Sequence, residues 1–377
     1  MRESADVRRA NRSAVLAVLW QGGSWTKQEL AWRTGISIPT CNTLLNELAQ
    51  EGAVVGEPRP TEGRGRTATA FRANEGHEPM LLVSFDRDRG PTRRLSLELV
   101  SVLGRVLERR EREFDRLDYA ALLREVEDFT ATHGAAADVA VGTPSLAEGG
   151  VIHECDIPEL EGEALAERLG ADVGRPVHLE NDMHLKAYGY YHLRGRTDDV
   201  VTLANFPEHV LPGTATVHRG MVITGARQFA GMLGFLPLGM GRDELLGRLE
   251  RPGGVALAGR MLAAVAVVVN PSVIVCTGGL LQPGDLTEVR GICAETIPRA
   301  YLPRLECVDS LDAALREGMR RRLLDIGLTR GTQVKCLLHS PFGDPAAYEI
   351  RGAVFALRQS DSCQVLLDRL PGGAVWG

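Results

Sequence analysis

Two short helices with complete end signals, separated by a glycine, constrain the fold of this chain more than any other feature. The first helix is predicted to begin after Thr26, whose side chain can cap it while Glu29 completes a capping box. It is predicted to end at Gly35, because glycine readily adopts the left-handed conformation that closes a helix. Ser37 is the expected cap of the second helix, and Pro39 lies in its first turn. Helix, tight turn and helix at this spacing indicate a helix-turn-helix motif.

The second of these helices has one apolar and one polar face. The apolar stripe predicts a buried face and consists of Cys41, Leu44, Leu45, Leu48 and Ala49. The outer face is small and polar and consists of Pro39, Thr43, Asn46 and Gln50, flanked by Thr40 and Asn42. An apolar face at residues 9–20 predicts a further helix before the pair. Such a surface favours DNA binding, and a three-helix protein-interaction module is the alternative.

A wing is predicted directly after the helix pair. Residues 53–55 are β-rich, and the turn-rich basic segment EPRPTEGRGRTATAF follows them. Arg64 and Arg66, between glycines that permit close approach, are expected to meet phosphates or enter a narrow minor groove. A solvated linker is the alternative interpretation of the GRGR sequence.

The outer helix face contains no Arg or Lys, so base recognition is expected to rest on its amides and hydroxyls. Asn42 and Asn46 can each pair with adenine, while Thr40 or Thr43 can contact a thymine methyl group. Arg12 and the wing are expected to add phosphate contacts. The predicted DNA-binding residues are Thr26, Lys27, Arg33, Ser37, Pro39, Thr40, Asn42, Thr43, Asn46, Arg64 and Arg66.

The charge distribution agrees with polyanion binding confined to the first seventy residues. Residues 1–73 contain ten basic and seven acidic residues, whereas the whole chain of 377 residues has a net charge of −6. Seven dispersed cysteines without a CxxC pair predict reduced thiols. The longest apolar run, residues 261–269, is too short to span a bilayer, and the N-terminus lacks a signal-peptide core. We therefore expect a cytoplasmic protein without membrane contact.

From residue 80 onward the sequence alternates between strand-like and helix-like segments. Strands are predicted at 80–85, 95–102, 138–141, 176–179, 200–204 and 272–276, with helices at 119–132 and 259–269. The charge-dense segment 107–118 is predicted to hold a strand end and a helix start. This order indicates an α/β body with mixed sheets.

The whole chain resembles transcriptional regulators of the ROK family (repressor, ORF, kinase), of the xylose-repressor type. The resemblance rests on the head segments RRANRSAVLAVL and TKQELAWRTGISIPTCNTLLNELAQEGAVVGE, and on the body segments VGTPS, GRPVHLENDMHLKAYGYYHLRG, VHRGMVITGARQFAGMLGF and NPSVIVCTGGLL. It implies a winged helix-turn-helix domain (residues 1–73) and a two-lobed actin-like, ribonuclease-H-like body (residues 80–377), with lobes at about 80–185 and 186–377. It also implies a homodimer, or a tetramer, on a double-stranded DNA operator, and a sugar or other small molecule as effector.

The body departs from the family pattern at the motifs that kinases of this fold need. FDRDRGPTRR stands where a glycine-rich phosphate turn is expected, and FPEHVLPGTAT replaces the second phosphate loop. Met232 and Phe235 occupy the positions of a sugar-binding glutamate and a zinc-binding histidine, and residues 236–254 contain no cysteine. We therefore expect neither ATP nor zinc as a cofactor, no catalytic residues, and no enzymatic activity.

Asn181 and Asp182 are the remaining kinase-like residues of the body. In a kinase of this family the aspartate would accept a sugar proton and the asparagine would hold a neighbouring hydroxyl. Here the two residues are candidate ligand contacts, and capping of the following helix by Asp182 is the structural alternative. The leading hypothesis is a repressor whose body senses a ligand or only dimerises. A ROK-type sugar kinase with a regulatory head is the alternative.

Overall fold

The computed structural model describes residues 2–60, 68–87, 91–133, 138–195, 199–208, 210–250, 253–326, 334–339, 346–350 and 353–357. These residues form a small N-terminal domain, called the head here, and a larger two-lobed body followed by a short C-terminal sheet. None of the described helices has the length and apolarity that crossing a membrane requires.

The head contains three helices and a three-stranded sheet. Its elements are α1 (Arg2–Leu19), β1 (Trp25–Thr26), α2 (Lys27–Thr34), α3 (Ile38–Gln50), β2 (Val54–Arg59) and β3 (Ala68–Ala73). The antiparallel β2–β3 pair is the predicted wing hairpin, and β1 pairs with the other edge of β3. The apolar stripe of α3 is buried against α1 and α2, except that Ala49 is exposed, contrary to prediction. Ala49 lies on the solvent side because the buried stripe ends with Leu48.

The first lobe is built on a five-stranded mixed sheet in the order β10-β7-β4-β5-β6. Its elements are β4 (Met80–Asp86), β5 (Arg93–Val100), β6 (Val106–Phe114), α4 (Tyr119–His133), β7 (Asp138–Thr143), β8 (Leu146–Glu148), β9 (Val151–His153), α5 (Leu165–Val173) and β10 (Val177–Asn181). Helices α4 and α5 cover one face and bury its aliphatic side chains. The strand end and helix start predicted at 107–118 are confirmed: the segment contains most of β6, whose charged side chains are largely exposed at the sheet edge, and α4 begins directly after it.

The second lobe is built on another five-stranded sheet, in the order β13-β12-β11-β14-β15. Its elements are β11 (Val200–Asn205), β12 (Gly213–His218), β13 (Met221–Val222), α7 (Arg242–Arg248), α8 (Gly254–Val269), β14 (Val273–Thr277), α9 (Leu286–Thr296) and β15 (Arg304–Cys307). Helices α8 and α9 pack together on one face of this sheet. Asn270 ends α8 in the left-handed conformation, and Pro271 follows it, so the predicted end of this helix is confirmed.

Two long helices connect the lobes and cross each other closely. Helix α6 (Asp182–Leu193) leads from the first sheet to the second, and α10 (Asp312–Ile326) returns from the second to pack on β4 and β7. At the crossing, a Cβ atom on Gly189 would lie 1.8 Å from the Ala314 carbonyl oxygen, and one on Gly318 would lie 2.0 Å from the Leu185 carbonyl oxygen. Only glycine at both positions permits this approach. After α10, the strands β16 (Val334–His339), β17 (Ala346–Ile350) and β18 (Ala353–Leu357) form an antiparallel sheet.

Candidate functional site

The helix ends of the head are held as the sequence predicts. The Thr26 side chain accepts the Glu29 backbone N–H, and the Glu29 carboxylate accepts the Thr26 N–H at 2.6 Å. This backbone hydrogen bond is the main cause that lowers the pKa of Glu29, and burial opposes it. Gly35 closes α2 at φ 71°, and the Ser37 side chain caps α3 by accepting the Thr40 N–H. Local contacts therefore fix where α2 begins and ends and where α3 begins.

The outer face of α3 is open to solvent. Pro39, Thr43 and Asn46 are exposed, whereas Thr40 and Asn42 are half-buried. The Thr43 hydroxyl donates to the Pro39 carbonyl at 3.2 Å, a local bond within the helix, and the side chain is exposed. Within the part of the chain that the structure describes, the Asn46 side chain makes no hydrogen bond, so its amide can donate and accept outward.

Most of the head cations whose side chains the structure describes are engaged inside the head. The carboxylate partners join α1 to α3 and the wing strands to α2 or to each other, in the pairs Arg8–Glu47, Arg12–Glu51, Arg59–Glu29 and Arg72–Glu57. The Lys27 ammonium donates to the Asn42 side-chain oxygen, which brings these two predicted contacts together. The Arg33 guanidinium lies over the Trp25 ring, 3.9 Å from its centroid. The predicted contacts Arg64 and Arg66 lie outside the described residues.

Sequence reasoning missed these pairs, although part of their signal was present. The partners of the α1 arginines are both 39 residues away, Glu47 on α3 and Glu51 at its C-cap, and only the three-dimensional packing of the helices joins them. Arg12, an expected phosphate contact, therefore reaches DNA only by leaving Glu51, to which it donates at 2.9 Å. The exposed cation Arg33 can contact a phosphate without leaving a carboxylate, because its contact in the head is with the Trp25 ring rather than with an acidic side chain.

A cleft between the two lobes forms the second candidate site. Its volume is about 670 Å³ including the open mouth. The apolar wall comes mainly from the second lobe and includes Val210, Leu211, Pro212, Met232 and Phe235. The polar floor contains Asn181, Asp182 and His184, at the start of α6. Burial lowers the pKa of His184, which keeps its imidazole neutral near pH 7.

The two predicted ligand residues on the cleft floor both have partners inside the protein. Asn181 caps α6: its side-chain oxygen accepts the His184 N–H at 3.1 Å, and its amide donates to the Ser145 carbonyl at 2.9 Å. The predicted cap role of Asp182 is therefore wrong, because the cap lies one residue earlier. Asp182 begins the helix, is buried, and accepts a hydrogen bond from Lys186 at 2.5 Å.

The residues at the positions of the kinase phosphate turns are likewise engaged. Asp86, at the end of β4, is buried and accepts two hydrogen bonds from Arg94 on the paired strand β5, at 2.6 and 3.1 Å. The Arg87 guanidinium, at the first position of the turn, donates to the Asp156 carbonyl at 3.2 Å. Arg89 lies outside the described residues.

The Gly278–Gly279 turn after β14 is covered by the loop that follows β11. Gly278 has φ 99°, and a Cβ atom there would lie 2.2 Å from the Phe206 carbonyl oxygen. A Cβ atom on Gly279 would lie 2.5 Å from a carboxylate oxygen of Glu208. This turn therefore requires glycine because the loop after β11 packs closely against it. The acidic side chain of Glu208, from that loop, lies against the backbone of the turn.

Two ion pairs connect the lobes at the cleft. Glu148 on β8 accepts from Arg227 at 2.7 Å, and Glu154 after β9 accepts from Arg242 at 2.8 Å. Arg242 also lies over the Phe235 ring, 4.7 Å from its centroid. All four charged side chains are more than a third exposed, so each pair contributes little to stability. No local sequence motif marks these pairs, because their partners are distant in sequence.

Two family models match parts of the chain. A winged helix-turn-helix DNA-binding model matches residues 8–55, which contain α2, α3 and most of α1. A FeoA domain model matches residues 281–369, a range that contains α9, β15, α10 and the C-terminal sheet. Curated protein sequences give no significant match.

Several solved structures share the fold. A ROK family transcriptional regulator, described as a homolog of the E. coli MLC protein, has a TM-score of 0.60 at 19% identity and covers 84% of this chain and 98% of its own. A Listeria monocytogenes protein named as a candidate N-acetylmannosamine kinase has a TM-score of 0.53 at 19% identity, covering 65% and 99%. A ROK family protein from Streptococcus pneumoniae in complex with sucrose has a TM-score of 0.51 at 15% identity, covering 66% and 98%.

The chain thus combines a winged helix-turn-helix head with a two-lobed, actin-like body of the ROK fold. Its fold is similar to that of the solved ROK family transcriptional regulator over 84% of the chain, and to that of the Listeria protein over 65%.

Proposed function

We propose that this chain is a sequence-specific DNA-binding transcriptional regulator, acting as a cytoplasmic homodimer and as a repressor. The observation that carries the proposal is the outer face of α3, which is exposed and polar while the helix is fixed by caps at its entry. A helix presented in this way fits the major groove, and two heads related by symmetry read two half-sites. The match of residues 8–55 to a DNA-binding family supports the same function.

The outer face suggests how bases are read. Asn46 has an amide that bonds no other described group and can pair bidentately with adenine. Thr43 offers its methyl group to thymine, with Pro39 beside it. Asn42 is held by Lys27 and serves better to fix α2 against α3, with the lysine directed toward phosphate. Arg33 and the wing residues Arg64 and Arg66 then supply the remaining phosphate contacts.

The body of this regulator is proposed to lack phosphoryl transfer. ATP needs a backbone cradle for its phosphates with magnesium, and the corresponding positions do not fit it. The Asp86 carboxylate is neutralised by Arg94, and Glu208 places negative charge against the second glycine turn. Asp182, the expected base, is bonded to Lys186. No step through ATP follows from these residues. The absence of ATP and zinc as cofactors stays a prediction.

The cleft is proposed to serve as an effector site, and the body to hold two copies of the chain together. Its floor offers Asp182 and its mouth offers Glu154 and Arg242, but Met232 and Phe235 make one wall apolar. A polyol that loses two hydrogen-bond partners there would bind about a hundredfold more weakly, at about 1–3 kcal/mol for each missing partner. Dimerisation without ligand sensing is the alternative role of the body.

DNA binding tests the proposal. Duplexes selected by the full chain from a random-sequence pool would be titrated against wild type and the Asn46→Ala and Thr43→Ala variants. We expect each variant to lose about 1–3 kcal/mol of binding free energy on the selected sequence, because each loses a base contact. Thr296→Ala, an exposed change at the end of α9, is the matched control and should bind as wild type does. Failure of the wild-type chain to select any sequence would refute the proposal.

A sugar kinase with a regulatory head remains the second candidate, because Asp182 occupies the floor of a cleft in a fold that kinases share. ATP turnover with hexoses and N-acetylhexosamines distinguishes the two functions. We expect no turnover above background. If ATP is turned over and Asp182→Asn abolishes the turnover, the body is an active sugar kinase and the proposal that it lacks phosphoryl transfer is refuted.

A further inference from the structure

A tight turn between β5 and β6 packs against the head. Ser101 and Arg105 close this turn through a backbone hydrogen bond of 2.9 Å, and Gly104 within it has φ 87°. Leu103 packs against the apolar core of the head. Val102 packs against both the head core and the apolar cluster between the first sheet and α10.

The far side of this turn is held by one buried arginine of α10. Arg320 is only 5% exposed and donates to the Val102 carbonyl at 2.7 Å. Its side chain also fills the space beside Gly104, where a Cβ atom would lie 3.2 Å from its Nε. Glu317, one helical turn earlier, accepts from two other nitrogens of the same guanidinium, at 2.8 and 2.9 Å. This fork fixes the orientation of Arg320 before it meets the turn.

A second contact binds the segment after the wing to the same turn. Glu75 accepts hydrogen bonds from Arg105 at 2.7 Å and from the Ser101 hydroxyl at 3.3 Å. The turn is thus held from the head side by Glu75 and from the body side by Arg320. Because α10 also crosses α6, whose first turn forms the cleft floor, the helix that carries Arg320 contacts both the cleft helix and the head support.

From this geometry we infer that Arg320 is a positioning residue for operator binding, which sets the orientation of the head on the body through the β5–β6 turn. The inference rests on the proposed DNA-binding function. Arg320 touches no DNA in this role; it decides where α3 points relative to the α3 of a second copy. Two heads in fixed orientation match only one half-site separation, whereas loosely held heads accept several.

The experiment compares full-length variants on duplexes selected by the wild-type chain and on the same duplexes with two base pairs added between the half-sites. Wild type should bind the lengthened duplex about tenfold more weakly. Arg320→Ala should bind both duplexes within about twofold of each other, because its heads reorient. Arg316→Ala is the matched control: it lies on the same helix but pairs with Glu98 inside the body, and should keep the tenfold discrimination.

Thermal unfolding of each variant separates orientation from stability. If Arg320→Ala does not fold, Gly104→Ala tests the same contact from the turn, since its Cβ would crowd Arg320 at 3.2 Å and strain a positive φ. Retained spacing discrimination in the folded Arg320→Ala or Gly104→Ala variant would overturn the inference while DNA binding stands. Loss of discrimination in Arg316→Ala would also overturn it, because any change in α10 would then have the same effect. Absence of DNA binding by wild type would instead refute the proposed function.

Discussion

Helix α3 in the head and helix α6 in the body begin in the same way and then differ. Each is capped by a side chain that accepts the backbone N–H three residues later, Ser37 in α3 and Asn181 in α6. Beyond the cap, α3 presents Asn46 to solvent, whereas the first turn of α6 buries Asp182 against Lys186. One helix keeps polar groups available for a partner, and the other uses them within the protein.

This difference teaches what each region can do without rearrangement. An exposed amide exchanges water for a base at little cost, because its hydrogen bonds are replaced one for one. A buried, paired carboxylate must first leave its partner, which costs several kcal/mol in a dry site. The outer face of α3 is therefore accessible to a partner as it stands, whereas a ligand on the cleft floor must compete with Lys186 for Asp182. Four predictions test this comparison.

The largest effect is expected at the α6–α10 crossing. Gly318→Ala places a Cβ atom 2.0 Å from a backbone oxygen, so the two helices must separate. We expect a loss of about 5 kcal/mol in the free energy of unfolding, the upper end for single substitutions. Gly291→Ala, on an α9 surface with no neighbour within 4 Å, is the control and should stabilise by about 0.5–1 kcal/mol. Urea unfolding measures both, and equal midpoints would show that the crossing tolerates expansion.

The pairing on the cleft floor gives the next effect. Lys186→Met leaves the Asp182 carboxylate buried without its cation, and we expect a loss of about 3–5 kcal/mol in unfolding free energy. The double variant Asp182→Asn, Lys186→Met removes both charges and should recover most of this loss. An unchanged midpoint for Lys186→Met would break the comparison, because Asp182 would then be as available as the polar groups of α3.

Acid should destabilise the body through Glu180, the residue before the α6 cap. Burial opposes ionisation of Glu180, but Arg322 at 3.0 Å and the His178 hydrogen bond outweigh it and hold its pKa at about 2, below the usual 4.5. As the pH falls, the Glu180 carboxylate is therefore protonated in the unfolded chain before it is protonated in the folded protein. Stability present above pH 4.5 should decline by about 3 kcal/mol toward pH 2. Urea unfolding measured between pH 4.5 and pH 2 tests this, and Glu180→Gln should lack this part of the stability loss. The same dependence of unfolding free energy on pH in the variant and in wild type would contradict the prediction.

The smallest expected effect distinguishes two kinds of head residue, one that caps a helix and one that is expected to contact DNA. Thr26→Ala removes the capping box of α2 and should cost about 1 kcal/mol of head stability. Thr43→Ala changes an exposed side chain and should leave stability within about 0.5 kcal/mol while weakening operator binding. Thermal unfolding and DNA titration of the two variants should give opposite patterns. A large stability loss in Thr43→Ala would show that the outer face is also structural.

The sequence predicts the structure of the head in more detail than that of the body. Helix ends depend on residues within a few positions, so Thr26, Glu29, Gly35 and Ser37 could be assigned from local spacing. The wing hairpin followed from a β-rich run and a turn segment. The DNA contacts of the exposed residues stay predictions, since exposure shows only that they are accessible.

The contacts that cleft residues make with other residues of the protein could not be predicted from sequence spacing alone. Glu208 meets Gly279 across 71 sequence positions, and this contact exists only because β11 and β14 are neighbours in the sheet. Lys186 lies four residues after Asp182, a helical pairing distance that sequence reasoning overlooked. The cap at Asn181 was misplaced by one residue because Asn and Asp are nearly equal in capping preference.

Val102 has a consequence for how such proteins diversify. Its side chain completes two hydrophobic interiors at once, one on each side of the domain boundary. A different winged-helix domain fused to this body would need an apolar pocket that accepts Val102. Without such a pocket, the Val102 side chain would be exposed to solvent. A head exchanged without the β5–β6 turn would therefore lose this contact, so the structural unit of the head extends past the linker to Val102.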